Sequence, residues 1–299
     1  YNEWHARVVD QRGGTGVTTA FVLSGGAAHG AVQAGMLMAL DERNIRPDLI
    51  VGTSVGAING AWLAGHPPGD SDLAGLANLW RSLKRSQVFP TRPLLGLRGF
   101  LGQARNLVPA GPLRRLVRQH VTFERLEDAH VPLHALAADV LTGEGVLLST
   151  GDTVDAVVAS ASIPAVFPPV KIGERYLMDG GVVNNTPICQ AVELGADRIW
   201  VMPTGYACAL TEPPAGALAM ALHGVMMMIN QRLGGDVVTY ESQVDLRVVP
   251  PPCPIRTSPA DFSHGAELIE RGHDTAVAWL DGNIPDLGAA VFLDPHHHG

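Results

Sequence analysis

Residues 18–23, apolar from Ala20 to Leu23, read as a strand running into Ser24-Gly25-Gly26-Ala27-Ala28-His29-Gly30, and a helical pattern follows from about Gly30 to Asp41. A second unit repeats this plan. Residues 49–52 read as a strand, pass through Thr53-Ser54-Val55-Gly56, and continue as a helix through Ala64. Two successive strand–glycine turn–helix units predict an α/β protein with a parallel sheet. Residues 131–140 and 146–149 read as strands around the turn Leu141-Thr142-Gly143-Glu144-Gly145. A helix over 152–162 is ended by Pro164. A short strand over 175–178 leads into Asp179-Gly180-Gly181, and a helix over 186–194 precedes a core strand at 198–202. The most apolar long stretch, 215–229, contains His223 and falls short of the roughly 20 residues a membrane span needs. It predicts a buried helix. A strand at 245–249 and an amphipathic helix over 265–280 complete the series. The Pro/Gly clusters at 86–112 and 250–259 read as loops within one domain spanning 1–299. Its core is 18–202, and a helical and strand portion over 203–295 follows it. Residues 296–299 read as a tag remnant.

Composition narrows the class. With 46% hydrophobic and 17% charged residues, the chain reads as globular rather than disordered. A net charge of -8 argues against nucleic acid as a partner. Cys189, Cys208 and Cys253 are widely spaced, forming neither a disulfide framework nor a zinc motif. They fit a reducing, cytoplasmic setting. The polar stretch 1–17 has no signal-peptide core, and no loop resembles an EF-hand calcium site. No metal or cofactor is expected.

Three loops carry the candidate chemistry. Gly52-Thr53-Ser54-Val55-Gly56 fits a G-x-S-x-G turn, which exposes a serine on a sharp strand-to-helix corner above a helix N-terminus. The same pattern also serves as a tight turn with a capping serine. In Ser24–Gly30, successive small residues can aim backbone N–H groups at one anion. In acyl transfer that anion is the tetrahedral oxyanion. A dinucleotide loop is the rival, but it wants glycine where Ala27 stands; a structural glycine turn is another. The third loop is Asp179-Gly180-Gly181. A partly desolvated carboxylate touching a serine hydroxyl can take its proton, although Asp-Gly turns are common. Of the downstream histidines, His264, at a helix start, is the best candidate for a Ser–His–Asp arrangement.

The order and spacing of these three motifs, with Ala159-Ser160-Ala161-Ser162-Ile163-Pro164-Ala165-Val166-Phe167-Pro168-Pro169-Val170 between them, resemble the patatin-like phospholipases over about 18–202. The resemblance implies a three-layer α/β/α fold with a central, mostly parallel sheet, related to the α/β hydrolases. It also implies a Ser–Asp dyad without a catalytic histidine. Carried over, Ser54 is the nucleophile and Asp179 its base, and the backbone of Gly25, Gly26 and Ala27 holds the oxyanion. Gly30, Gly52, Gly56, Gly180 and Gly181 support the loops. The expected substrate is a phospholipid or other lipid ester. The sequence departs from the family at Ala27, where a third glycine is usual, and at His29, where Arg or Lys is usual. Ala27 can donate its N–H unless the loop requires positive φ there, and His29 leaves a fixed positive charge in question.

Residues 73–123 hold nine of the 21 Lys and Arg and no acid, leaving twelve against all 29 Asp and Glu. Arg92, Arg98 and Arg105 lie in this block among apolar residues such as Phe100. The mixture suits an anionic lipid surface, giving a cap-like insertion with peripheral membrane contact; an ordinary solvated face is the alternative. Met220, Met226, Met227 and Met228 read as core packing or, secondarily, as lining for an acyl pocket. The leading functional reading is a lipid acyl hydrolase. The alternatives are a Ser–His–Asp esterase for small soluble esters and a non-catalytic phosphate- or lipid-binding module.

Overall fold

The computed structural model describes residues 16–67, 69–90, 107–205, 213 and 217–283. Along β1 (Thr19–Leu23) successive side chains point to opposite faces, and the two sets enter different cores. Phe21 and Leu23 pack into one apolar cluster, and Ala20 and Val22 into the other. Both faces are therefore covered, which explains why Ala20–Leu23 are all apolar.

The first face carries α1 (Gly30–Asp41), α2 (Val55–Ala64), α3 (Leu73–Ser82), α4 (Arg85–Val88), α5 (Gly111–His120), α6 (Thr153–Ser160) and α10 (Gly265–Leu280). The second carries α8 (Ile188–Glu193) and α9 (Ala217–Tyr240). The short α7 (Gly181–Asn184) follows Asp179. Helices α1 and α10 pack so closely that a Cβ on Gly272 would lie 2.5 Å from the Val32 carbonyl oxygen.

The eight-stranded sheet follows the path β5–β6–β3–β2–β1–β7–β8, with β4 also paired to β3. The further strands are β2 (Leu49–Thr53), β3 (Leu133–Asp139), β4 (Gly145–Leu148), β5 (Val170–Ile172), β6 (Arg175–Asp179), β7 (Arg198–Met202) and β8 (Asp245–Val248). β1, β2, β3, β7 and β8 are parallel, while β4 and β6 run antiparallel to β3. This is the mostly parallel α/β/α arrangement expected.

One edge of β3 is the key to the site. β4 pairs with Ala135–Ala138, which β2 and β6 also partly face, so those two strands must share the opposite edge. β2 stops with Thr53 opposite Leu136, and β6 stops with Asp179 opposite Ala137. The two strands therefore meet end to end, and the residue after Thr53 is Ser54.

Several expectations need correction. Helix α9 extends to Tyr240, and Met220, Met227 and Met228 are 48%, 48% and 66% exposed rather than buried. Among the described side chains of α9, Leu233 and Val237 enter the core, beyond the end expected at 229. β5 and α3 carry no sequence expectation; α3 is capped by Asp72, whose carboxylate accepts the Gly75 N–H at 3.1 Å. Part of the 86–112 stretch is helical, since Pro112 occupies the first turn of α5, where its missing N–H costs nothing. Arg92, Arg98, Arg105 and Phe100 lie outside the described residues, as do Cys208 and the 296–299 tail. Among the described residues no helix is long and apolar enough to cross a membrane.

Candidate active site

Ser54 joins β2 to α2 with φ 56° and ψ −121°, a conformation that a side-chain-bearing residue adopts only under strain. The flanking glycines permit it. A Cβ on Gly52 would sit 2.6 Å from the Gly56 carbonyl oxygen, and one on Gly56 would collide with the Leu23 carbonyl. The bend is tied from the far side. The Ser54 N–H donates to Ser160 Oγ at 2.9 Å, and the Ser160 hydroxyl donates to the Leu136 carbonyl at 2.6 Å.

The same α6 terminus holds the end of β6. The Asp179 N–H donates to the Ser162 carbonyl at 2.9 Å, and the Gly180 N–H to the Ser160 carbonyl at 3.3 Å. Asp179 Oδ1 accepts the Gly181 N–H at 2.8 Å, and the Ser54 hydroxyl hydrogen-bonds the same carboxylate. Burial pushes the Asp179 carboxyl up to about 6, against the opposing pull of those two hydrogen bonds. The carboxylate is thus ionised at neutral pH yet more basic than an exposed aspartate.

The loop after β1 touches this pair, since a Cβ on Gly25 would lie 3.2 Å from Ser54 Cβ. Its three expected donors are not equivalent. The Gly25 N–H donates to the Asn185 carbonyl at 3.1 Å. The Gly25 carbonyl accepts from Thr204 Oγ1 at 2.7 Å and Asn185 Nδ2 at 3.3 Å. The N–H groups of Gly26 and Ala27 find no acceptor among the described residues. They open the turn Ala27–His29 that continues into α1, so they sit at a helix N-terminus with its positive potential. Thr204 leaves no room for a Cβ on Gly26. Ala27 does take positive φ, 50°, so a conformation better suited to glycine is held by alanine.

His29 is mostly buried, with Nε2 3.0 Å from the Thr257 carbonyl, and burial lowers its pKa. It is neutral at neutral pH and supplies no fixed charge. Gly30 gives Trp80 and Val55 room to approach; a Cβ there would lie 2.8 Å from Trp80 Cζ2. Gly180 lies against the Leu136 carbonyl in the same way, and a Cβ on Gly181 would be 3.0 Å from Asp179 Oδ1. His264 is half-buried, with Nδ1 3.0 Å from Glu267 and Nε2 3.6 Å from Asp261, so its neighbours are local carboxylates rather than the Ser54 elbow.

A pocket of about 540 Å³ opens at Ser54 and Ala27. Apart from Ser54 its lining is apolar or aromatic, including Ile58, Trp80, Phe89, Leu113, Leu116 and Ile163. Phe89 stacks on Phe167 at 5.5 Å and meets Phe262 at 5.8 Å. Much of this wall comes from α3, α4 and α5, the described parts of the basic segment 73–123. Among the described residues no methionine lines it, so Met220, Met227 and Met228 do not serve as its lining; the Met226 side chain lies outside the described residues. Among the described residues no cluster of three or more His, Cys, Asp or Glu is placed to hold a metal ion.

Sequence reasoning missed the residues that hold these loops. Beside Ser160, Ser162, Asn185 and Thr204 there is a buried amide chain. Trp80 Nε1 donates to Asn59 Oδ1, and Asn59 Nδ2 donates to Gln33 Oε1 and to the Gly30 carbonyl, each at 2.9 Å. Gln33 Nε2 then donates to the Ser24 and Met202 carbonyls, both at 2.9 Å. The chain links the pocket wall to the loop after β1. Polar residues inside the otherwise apolar α1 and α2 were its only sequence signal.

A strained serine at a strand-to-helix turn of a mostly parallel α/β sheet defines the class of elbow-serine α/β proteins. Within that class, the chain belongs to the patatin-like phospholipase family, whose family model matches residues 21–192. It is 31% identical over 173 residues to an uncharacterized NTE family protein of Mycobacterium tuberculosis, covering 58% of this chain and 28% of that one. It is 30% identical over 198 residues to the patatin-like phospholipase domain-containing protein 6 of Homo sapiens, covering 64% of this chain and 14% of that one. The chain thus spans under a third of these relatives' length. Among solved structures, VipD from Legionella pneumophila is similar with a TM-score of 0.48 and 16% identity, covering 89% of this chain and 67% of that one.

Proposed function

We propose that the protein is a serine acyl hydrolase of lipid esters that works through a Ser54–Asp179 dyad. The observation that carries this reading is the buried Asp179 carboxylate, its pKa raised to about 6, hydrogen-bonded to the Ser54 hydroxyl at the mouth of an apolar pocket. The acyl chain of the ester lies in the pocket. Ser54 Oγ attacks the carbonyl carbon while Asp179 takes the hydroxyl proton. The carbonyl oxygen becomes an oxyanion that accepts from the Gly26 and Ala27 N–H groups. Collapse breaks the ester C–O bond, and Asp179 returns the proton to the departing alcohol. Water, deprotonated by Asp179, then attacks the acyl-enzyme, releasing the carboxylic acid and restoring Ser54. The apolar pocket favours an acyl chain over a polar head group, which is why lipid esters are the proposed class.

The test is hydrolysis of a medium-chain p-nitrophenyl ester by native protein, Ser54→Ala and Asp179→Asn. Both folded variants are expected to lose nearly all turnover. Activity surviving in Asp179→Asn requires another base, and equal activity in all three proteins refutes the enzymatic reading.

A further inference from the structure

The pocket wall has an outer side. On α5, Leu113, Leu116 and Val117 are buried, and Leu113 and Leu116 line the pocket. At 100° per residue, Arg114, Arg115 and Arg118 fall on the opposite arc of the helix. Arg114 is engaged by Asp155, while Arg115 and Arg118 are exposed. Helix α4 packs against α5 and repeats the pattern. Val88 and the following Phe89 enter the pocket, and Lys84 and Arg85 are exposed. Among the described residues no carboxylate lies within ion-pair distance of Lys84, Arg85, Arg115 or Arg118. Residues 73–123 contain no acid at all, whereas the rest of the chain is acid-rich.

We infer that this outer face, formed by Lys84, Arg85, Arg115 and Arg118, docks the protein on an anionic lipid bilayer, with the pocket behind it. This rests on the lipid reading of the pocket. A protein of net charge -8 is repelled by an anionic surface in most orientations. Here four exposed cations lie on the outer side of the cavity that would receive an acyl chain, so attraction and productive orientation coincide. Each Lys or Arg near such a surface adds an attraction that salt screens. The four together suffice for a more than tenfold preference for anionic over neutral vesicles. A nucleic acid would meet the same charge but has no use for the apolar cavity behind it.

The experiment measures sedimentation of the Ser54→Ala protein with vesicles of phosphatidylcholine alone or mixed with phosphatidylglycerol. Using an inactive protein separates docking from turnover, so failure of the catalytic reading leaves this result intact. The expected outcome is pelleting with the mixed vesicles at a lipid concentration at least tenfold lower than with phosphatidylcholine, and its loss in high salt. Adding Lys84→Glu, Arg85→Glu, Arg115→Glu and Arg118→Glu is expected to abolish the preference, with circular dichroism and thermal melting verifying the fold. If that protein does not fold, the pair Lys84→Glu and Arg118→Glu is expected to lower the preference severalfold. Equal binding to both vesicle types, or an undiminished preference in the folded charge-reversed protein, overturns the inference.

Discussion

The backbone N–H of Ser54 donates to the hydroxyl oxygen of Ser160 at 2.9 Å, across 106 residues of sequence. Through its own carbonyl, Ser160 also holds Gly180, the residue after Asp179. One fully buried side chain and its backbone thus brace both the strained elbow and the carboxylate loop. Ser160→Ala leaves the Ser54 N–H and the Leu136 carbonyl without this partner, a loss worth about 1–3 kcal/mol for a buried group. The expected outcome is a fall in kcat of roughly tenfold or more with KM little changed, because Ser160 touches no substrate. Ser160→Thr, which keeps the hydroxyl, is expected to recover part of the rate. Steady-state kinetics and the labelling rate of Ser54 by a fluorophosphonate check this.

The pH dependence follows from Asp179. Only the ionised carboxylate accepts the Ser54 proton, so kcat/KM is expected to rise between pH 5 and 7 with an apparent pKa of about 6. The rise is assigned to Asp179 alone, and His29→Gln should leave its midpoint in place.

Stability has the opposite sign. The folded pKa of Asp179 lies above its ordinary value of 3.8. The native state therefore binds more protons than the unfolded chain between about pH 4 and 6, and stability falls as pH rises through that window. The penalty is complete above pH 6 and amounts to about 3 kcal/mol. Asp179→Asn should raise the melting temperature at pH 8 and leave it nearly unchanged at pH 4.

Ala27 holds a left-handed conformation at φ 50°. Replacing it with glycine relieves a steric cost of about 1 kcal/mol while keeping the N–H. Ala27→Gly is expected to raise the melting temperature by about 1–3 °C and to retain turnover. A melting temperature that falls would show that the loop does not need positive φ there.

Filling the pocket should change chain-length preference. Ile163→Trp is expected to lower kcat/KM for p-nitrophenyl dodecanoate by about tenfold or more, a loss of some 1.4 kcal/mol, while the butyrate is little affected. Met227→Trp, at an exposed site on α9, should leave the profile unchanged. His264→Ala should likewise retain activity, because its ring hydrogen-bonds Glu267 and lies beside Asp261.

Much of the fold was legible before any coordinates. Helices Gly30–Asp41 and Gly265–Leu280 and strand Arg198–Met202 have the bounds their periodicity predicts, because such patterns depend on neighbours two to four residues away. The same local rules place a serine at a strand-to-helix turn and a carboxylate at a strand end, and the order of these motifs resembles the patatin-like phospholipases. They were blind to the exposure of Met227 and Met228 on α9 and to the burial of Leu233 and Val237 further along it, since composition reports hydrophobicity but not which face finds a partner.

What the tertiary structure alone decided is how the pieces meet. That Ser54 and Asp179 face each other follows from β2 and β6 sharing one edge of β3 end to end, a matter of strand register between segments more than a hundred residues apart. The commitment of the Gly25 N–H to Asn185, the brace from Ser160 and the amide chain through Asn59 and Gln33 are likewise hydrogen bonds across long separations. Sequence spacing carries the residue types for such bonds. Which donor reaches which acceptor is settled only when burial removes water as the alternative partner.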